Sequence, residues 1–136
     1  MVVDIAYRLS TLGFLALDDG VHNGNYFLSD QIAALEWVQK HVESFGGDPS
    51  RVTIFGESAS AESVNALMVS PKSKGLFHGA ILQSNYYQPY VPLVTALNQS
   101  TTPILNLAGC RDVANQLTCL QAYNATELLG LKTVFK

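Results

Sequence analysis

A chain of 136 residues, 48% apolar and 14% charged, has the composition of a core-forming globular sequence, sufficient for one compact domain and not for two, and unlike a disordered chain. Eight Lys and Arg against eleven Asp and Glu give a net charge of -3, and the absence of any run of like charges argues against nucleic acid or an anionic membrane surface as a partner. No uninterrupted apolar stretch approaches the roughly 20 residues of a membrane span.

Met1 to Tyr7 reads as a strand, with β-branched Val2, Val3 and Ile5, although Asp4 is awkward where both faces are to be buried. Asp4 and Arg8 also interrupt this opening run and no basic segment precedes it, so it does not read as a signal peptide. From Ser29 to Phe45 the apolar residues Ile32, Leu35, Val38, Val42 and Phe45 recur at steps of three and four, which predicts one helix face. Ser29 is its expected cap, Asp30 suits its positive end, and Gly46-Gly47 ends it.

Asp48-Pro49-Ser50 predicts a turn, and Val52 to Phe55 is a short apolar run of the kind found in the middle of a parallel sheet. A second helix is expected from just after Ser58 to about Val69, stopped by Ser70-Pro71. After a basic loop from Lys72 to Lys74, Gly79 to Gln83 forms a third strand candidate. This alternation, with crossovers of that length, is the pattern of a parallel sheet flanked by helices. Shorter helical pieces follow at Thr102 to Ala108, Asp112 to Gln121 and Ala125 to Leu129.

The chemistry concentrates in Gly56-Glu57-Ser58-Ala59-Ser60. A serine between an apolar strand and a helix, with small residues two positions away on each side, meets the requirements of a nucleophile elbow. The sharp turn lifts the hydroxyl clear of the sheet and brings the residues two before and two after too close for large side chains. The helix start also aims backbone N–H groups, Ala59 first, at the position where a tetrahedral intermediate carries its negative oxygen.

The surrounding run Phe45-Gly46-Gly47-Asp48-Pro49-Ser50-Arg51-Val52-Thr53-Ile54-Phe55-Gly56-Glu57-Ser58-Ala59 closely resembles the corresponding segment of the carboxylesterase type-B (cholinesterase-like) family of α/β-hydrolases. Further matches are Tyr7-Arg8-Leu9, Leu12-Gly13-Phe14-Leu15, Gly24-Asn25, Asp30-Gln31, Trp37-Val38, Gly75-Leu76-Phe77 and Ala80-Ile81-Leu82-Gln83-Ser84. The sequence departs from the pattern at Ala6, at Asn85, and at Ser60, which stands in place of the second elbow glycine.

The resemblance implies a partial α/β-hydrolase fold, with residues 1–90 supplying sheet core and elbow and residues 91–136 a helical, disulfide-loop region of the same domain. It implies that Ser58 is the acyl-accepting nucleophile, that the Ala59 N–H is an oxyanion donor, and that Glu57 and Ser84 support the site. The substrate would be a small carboxylic ester, hydrolysed without metal or organic cofactor. The family orders its triad Ser, then Glu or Asp, then His. His22 and His41 precede Ser58, and His78 falls at the start of the next strand, so all three read as structural and the chain resembles the middle of a larger domain. A truncated inactive product, or a recognition module that keeps the fold without turnover, is the alternative expectation.

Cys110 and Cys119 are open by themselves to two readings, buried thiols or a bridge; the resemblance implies a disulfide. Two sequons, at Asn98 and Asn124, agree with the secretory route of the parent protein that the resemblance implies.

Overall fold

The computed structural model describes residues 1–85 and 91–131. They form two compact units, one of residues 1–7 and 28–85 and the other of residues 8–27 and 91–131.

After the short α1 (Ser10–Phe14) of the second unit, helix α2 (Tyr26–His41) belongs to the first unit from Leu28 on and leads through a 3₁₀ turn, Val42–Phe45, to Gly46, whose φ of 79° is the left-handed conformation that glycine adopts without penalty. Ile32, Leu35, Val38 and Val42 are buried as their spacing predicts. Phe45 is not. The tightening to three residues per turn after His41 carries it off the buried face, and it lies exposed with its ring centroid 5.8 Å from that of Trp37. The helix also starts three residues before Ser29, after Asn25 with φ of 57°, so Ser29 and Asp30 lie within it and not at its cap.

Asp48 caps the turn Pro49–Arg51. Its carboxylate accepts from the Ser50 hydroxyl and amide and from Arg51 Nε at 2.7 Å, and these bonds hold its pKa down at about 2, the Ser50 hydroxyl contributing most. The chain then enters β1 (Thr53–Glu57), turns at Ser58 into α3 (Ala59–Val69), and returns through the 3₁₀ turn Pro71–Ser73 to β2 (Gly79–Gln83). β1 and β2 are parallel, Thr53 opposite Gly79 and Glu57 opposite Gln83. Ile32, Leu35 and Leu67 bury against Val52, Ile54, Leu76 and Phe77, so α2 and α3 cover the sheet face that carries Ile54. Gln39 ties the unit together: its Nε2 donates to the carbonyls of Pro49 (2.9 Å) and Leu76 (3.0 Å), one in each loop that enters a strand.

The expected strand Met1–Tyr7 does not form. Among the described residues β1 pairs only with β2, and residues 1–7 are irregular, with Met1 and Val2 exposed. β-branched composition favours an extended backbone, but a strand exists only where a ladder satisfies its amide groups, and Asp4 opposes burial of both faces. For the same reason β1 is paired on one edge instead of standing centrally in the described sheet.

The second unit is helical. α4 (Leu93–Ala96) passes into a π-turn, Leu97–Thr101, and on into α5 (Thr102–Leu107). Pro103 explains the wide turn: a proline ring collides with the carbonyl four residues before it and offers no N–H, so the helix loosens ahead of it. α6 (Gln116–Gln121) begins after the Asn115 cap, later than the Asp112 expected, and α7 (Ala125–Gly130) opens with a reciprocal capping box between Asn124 and Glu127. Leu17, Ile104, Leu105, Ala108, Cys110 and Leu120 form the core. Cys110 and Cys119 are bridged, with Cα atoms 5.7 Å apart, and the Tyr123 hydroxyl donates to the Ala108 carbonyl beside them.

Candidate active site

The site grows from the last two residues of β1. Gly56 is buried, and a Cβ there would lie 2.5 Å from the Ser60 carbonyl carbon and oxygen and 2.9 Å from the Ala61 nitrogen. The backbone of Ser60 thus passes directly over Gly56, the close approach that requires glycine at this position. Between the two crossings Ser58 has φ of 53° and ψ of -122°, a conformation that costs a non-glycine residue of order 1–3 kcal/mol.

Three hydrogen bonds hold Ser58 there. Its N–H donates to the Gln83 carbonyl at 3.0 Å, and its own carbonyl accepts from Ala61 (2.9 Å) and Glu62 (3.2 Å), the first turn of α3. Gln83 was not singled out by the sequence, although the parallel pairing of the two apolar runs places it opposite Glu57 and beside the turn. Ser58 is exposed, as are Glu57, Ala59 and Ser60. The N–H groups of Ala59 and Ser60, at the start of α3, make no hydrogen bond among the described residues and stand free as donors. Ser84, next along from Gln83, also has positive φ, 52°, so two strained serines end adjacent parallel strands.

The histidines of this unit belong to its opposite end. The His78 N–H donates to the Val52 carbonyl at 2.7 Å, where β1 begins, and Ser58 is six residues further along, about 20 Å at the usual strand rise of ~3.3 Å per residue. His41 follows Gln39, which is anchored to the loops entering β1 and β2, and packs on Trp37. His22 belongs to the second unit, where its Nδ1 lies 2.6 Å from Asp19 Oδ2. Asp19 also accepts from the backbone of His22 and Val21, and these bonds, the His22 amide first, hold its pKa at about 2. A groove of about 760 Å³ in the first unit is lined by Ile5, Tyr7, Gln31, Val38, Ile54 and Val64 among others. Ser60 reaches it but Ser58 does not, so it is not a pocket for the serine hydroxyl.

Parallel strands flanked by helices, with a serine in a strained strand-to-helix turn, define a partial α/β-hydrolase fold with a nucleophile elbow. A solved structure of PNB esterase matches 92% of this chain and 26% of its own, with a TM-score of 0.80 and 38% sequence identity. The profile of the carboxylesterase family matches residues 1–135, and the chain belongs to that family. Its relatives include cocaine esterase of Homo sapiens, 43% identical over all of this chain and 25% of that protein, and acylcarnitine hydrolase of Mus musculus, 45% identical over all of this chain and 25% of that protein. The chain therefore spans about a quarter of the length of the curated relatives it matches.

Proposed function

We propose that this chain carries the nucleophilic part of a carboxylic ester hydrolase that acts through an acyl-serine intermediate. The observation that carries the reading is the backbone of Ser58: a strained, exposed serine between β1 and α3, with N–H donors on the next residues that are unpaired among the described residues. In this reading the Ser58 hydroxyl attacks the ester carbonyl, the alcohol leaves, and water releases the acid. The Ala59 N–H receives the oxyanion, while Glu57 and Ser84 flank the reacting centre. The names of relatives, cocaine esterase, acylcarnitine hydrolase and pyrethroid hydrolase, share a small-molecule ester as the chemistry acted upon. The domain boundaries, 1–90 for the elbow-bearing part and 91–136 for the helical part, remain part of this reading, as do a secretory route and glycans on Asn98 and Asn124.

A second reading, that the chain by itself does not turn over, is favoured by the placement of His41 and His78 at the far end of the strands from Ser58. Serine is a weak nucleophile without a base, and loss of the base leaves only the contribution of binding and oxyanion donors. The test exposes the purified chain to a fluorophosphonate probe and a short nitrophenyl ester, with Ser58→Ala as control. Absence of labelling and turnover is expected for the chain alone. Labelling lost in Ser58→Ala would show that these residues contain a base. Adding a separately expressed polypeptide with the rest of a family member's domain should restore labelling at Ser58; failure with a folded complex would refute the nucleophile assignment.

A further inference from the structure

We propose that Asn23 is a site of spontaneous covalent modification, at which the side-chain amide is lost and the residue becomes aspartate or isoaspartate. Of the eight asparagines in the chain, Asn23 alone is followed by glycine. Gly24 has no Cβ to shield its nitrogen, and a glycine can rotate through the conformations that ring closure needs. The fold leaves the Asn23 side chain accessible, while Gly24 is half-buried with its Cα facing the Phe14 carbonyl and Ala16, so ring closure proceeds when the loop opens. Asn23 is exposed in the loop between Leu17 and Tyr26, and its Nδ2 makes one long bond, 3.4 Å, to the Gly20 carbonyl. The loop is pinned by an isolated bridge between Ala16 and Asn23 and by the Asp19 carboxylate, with no extended ladder. Such loops sit at the low-stability end of a structure and open locally without global unfolding.

The step balances without any co-reactant but water. The Gly24 amide nitrogen gives up its proton to solvent base and bonds to Cγ of Asn23; Nδ2 takes a proton and leaves as ammonia. Water then opens the resulting succinimide at either carbonyl, so the net change is gain of water and loss of ammonia. Opening at the main-chain carbonyl leaves isoaspartate, which inserts a methylene into the backbone at the Ala16–Asn23 bridge. Either product also adds a carboxylate to the short loop that already holds Asp18 and Asp19, and like charges in one loop oppose its closed form. The Leu17 N–H bond to the His22 carbonyl, 2.6 Å, is the contact most directly exposed to the change.

The test incubates the purified chain in heavy-oxygen water at mildly alkaline pH and maps its peptides by mass spectrometry with fragmentation that separates aspartate from isoaspartate. Asn23 is expected to convert before any of the other seven asparagines, at a rate within about tenfold of the same chain in urea. Amide exchange at Leu17 should quicken in the converted fraction. Asn23→Gln, whose longer side chain closes a ring far less readily, should remove the product. Conversion of another asparagine first, or a native rate more than about tenfold below that in urea, overturns the proposal.

Discussion

At the scale of single residues the decisive feature is conformational strain held by neighbouring contacts. Ser58 keeps φ of 53° because its N–H is bound to Gln83 and its carbonyl starts α3; the side chain contributes nothing to that geometry. Replacing Ser58 by alanine therefore leaves the strain in place, whereas Ser58→Gly removes it. Ser58→Gly should be more stable than Ser58→Ala by about 1 kcal/mol or more, even after the greater unfolded-state freedom of glycine, as urea denaturation of the two variants will show. Equal stabilities would mean that the turn is relaxed. The same sequence-level pattern identified Gly56, Ser58 and Ser60 because small residues around a serine at a strand-helix junction have a steric reason. The part Gln83 plays at the turn is not legible in the sequence, because a main-chain carbonyl leaves no mark on the identity of its residue. Asp48 is the second residue whose state is fixed locally. Its pKa, lowered to about 2 by Ser50 and Arg51, lies below its ordinary value near 3.8, so its contribution to stability is full above that value and is lost as pH falls toward 2. Asp48→Asn should lower stability at neutral pH and converge with the parent chain near pH 2, in denaturation series across that range.

Among the elements, those with a local physical reason were visible in the sequence. α3 was predicted between Ser58 and Ser70-Pro71, and β2 over Gly79 to Gln83, as they stand. The differences have two causes: a partner strand decides whether an extended segment forms a ladder, and a proline disturbs the helical period ahead of it. Met1–Tyr7 has strand composition but no ladder, and α4 lies outside the expected helices because the π-turn ahead of Pro103 breaks the 3.6-residue period. The disulfide of the second unit shows the opposite case, in which a covalent link ties the segment after α5 to α6. It closes a ten-residue loop, and the chain-entropy relation assigns it about 2.5–3 kcal/mol. Cys110→Ser should also leave a hydroxyl in a fully buried position, so the variant pair should rank Cys110→Ser below Cys119→Ser. Denaturant midpoints of the two, each against the oxidised chain, measure the difference; equal losses would assign the whole effect to the link.

At the scale of the whole molecule the described sheet has two strands and therefore two open edges, and only one of its faces is covered. Phe55 and Ile81 stand opposite one another on the uncovered face, 61% and 52% exposed. An isolated parallel pair is marginal in water, and unpaired backbone beside apolar side chains is a template for joining another chain. The protein should therefore associate as its concentration rises and bind a dye that reports exposed apolar surface. Charge placed on that face should oppose both effects. Phe55→Lys with Ile81→Glu keeps an attractive cross-strand pair while removing the apolar contact, and it leaves Ile54, Leu35 and Leu67 of the covered face untouched. Sedimentation velocity should show the double variant shifted to lower mass at equal concentration, with weaker dye binding and unchanged circular dichroism. If the parent chain stays monomeric throughout and binds no dye, the face is covered in solution and the two-stranded arrangement is not the state of the free protein.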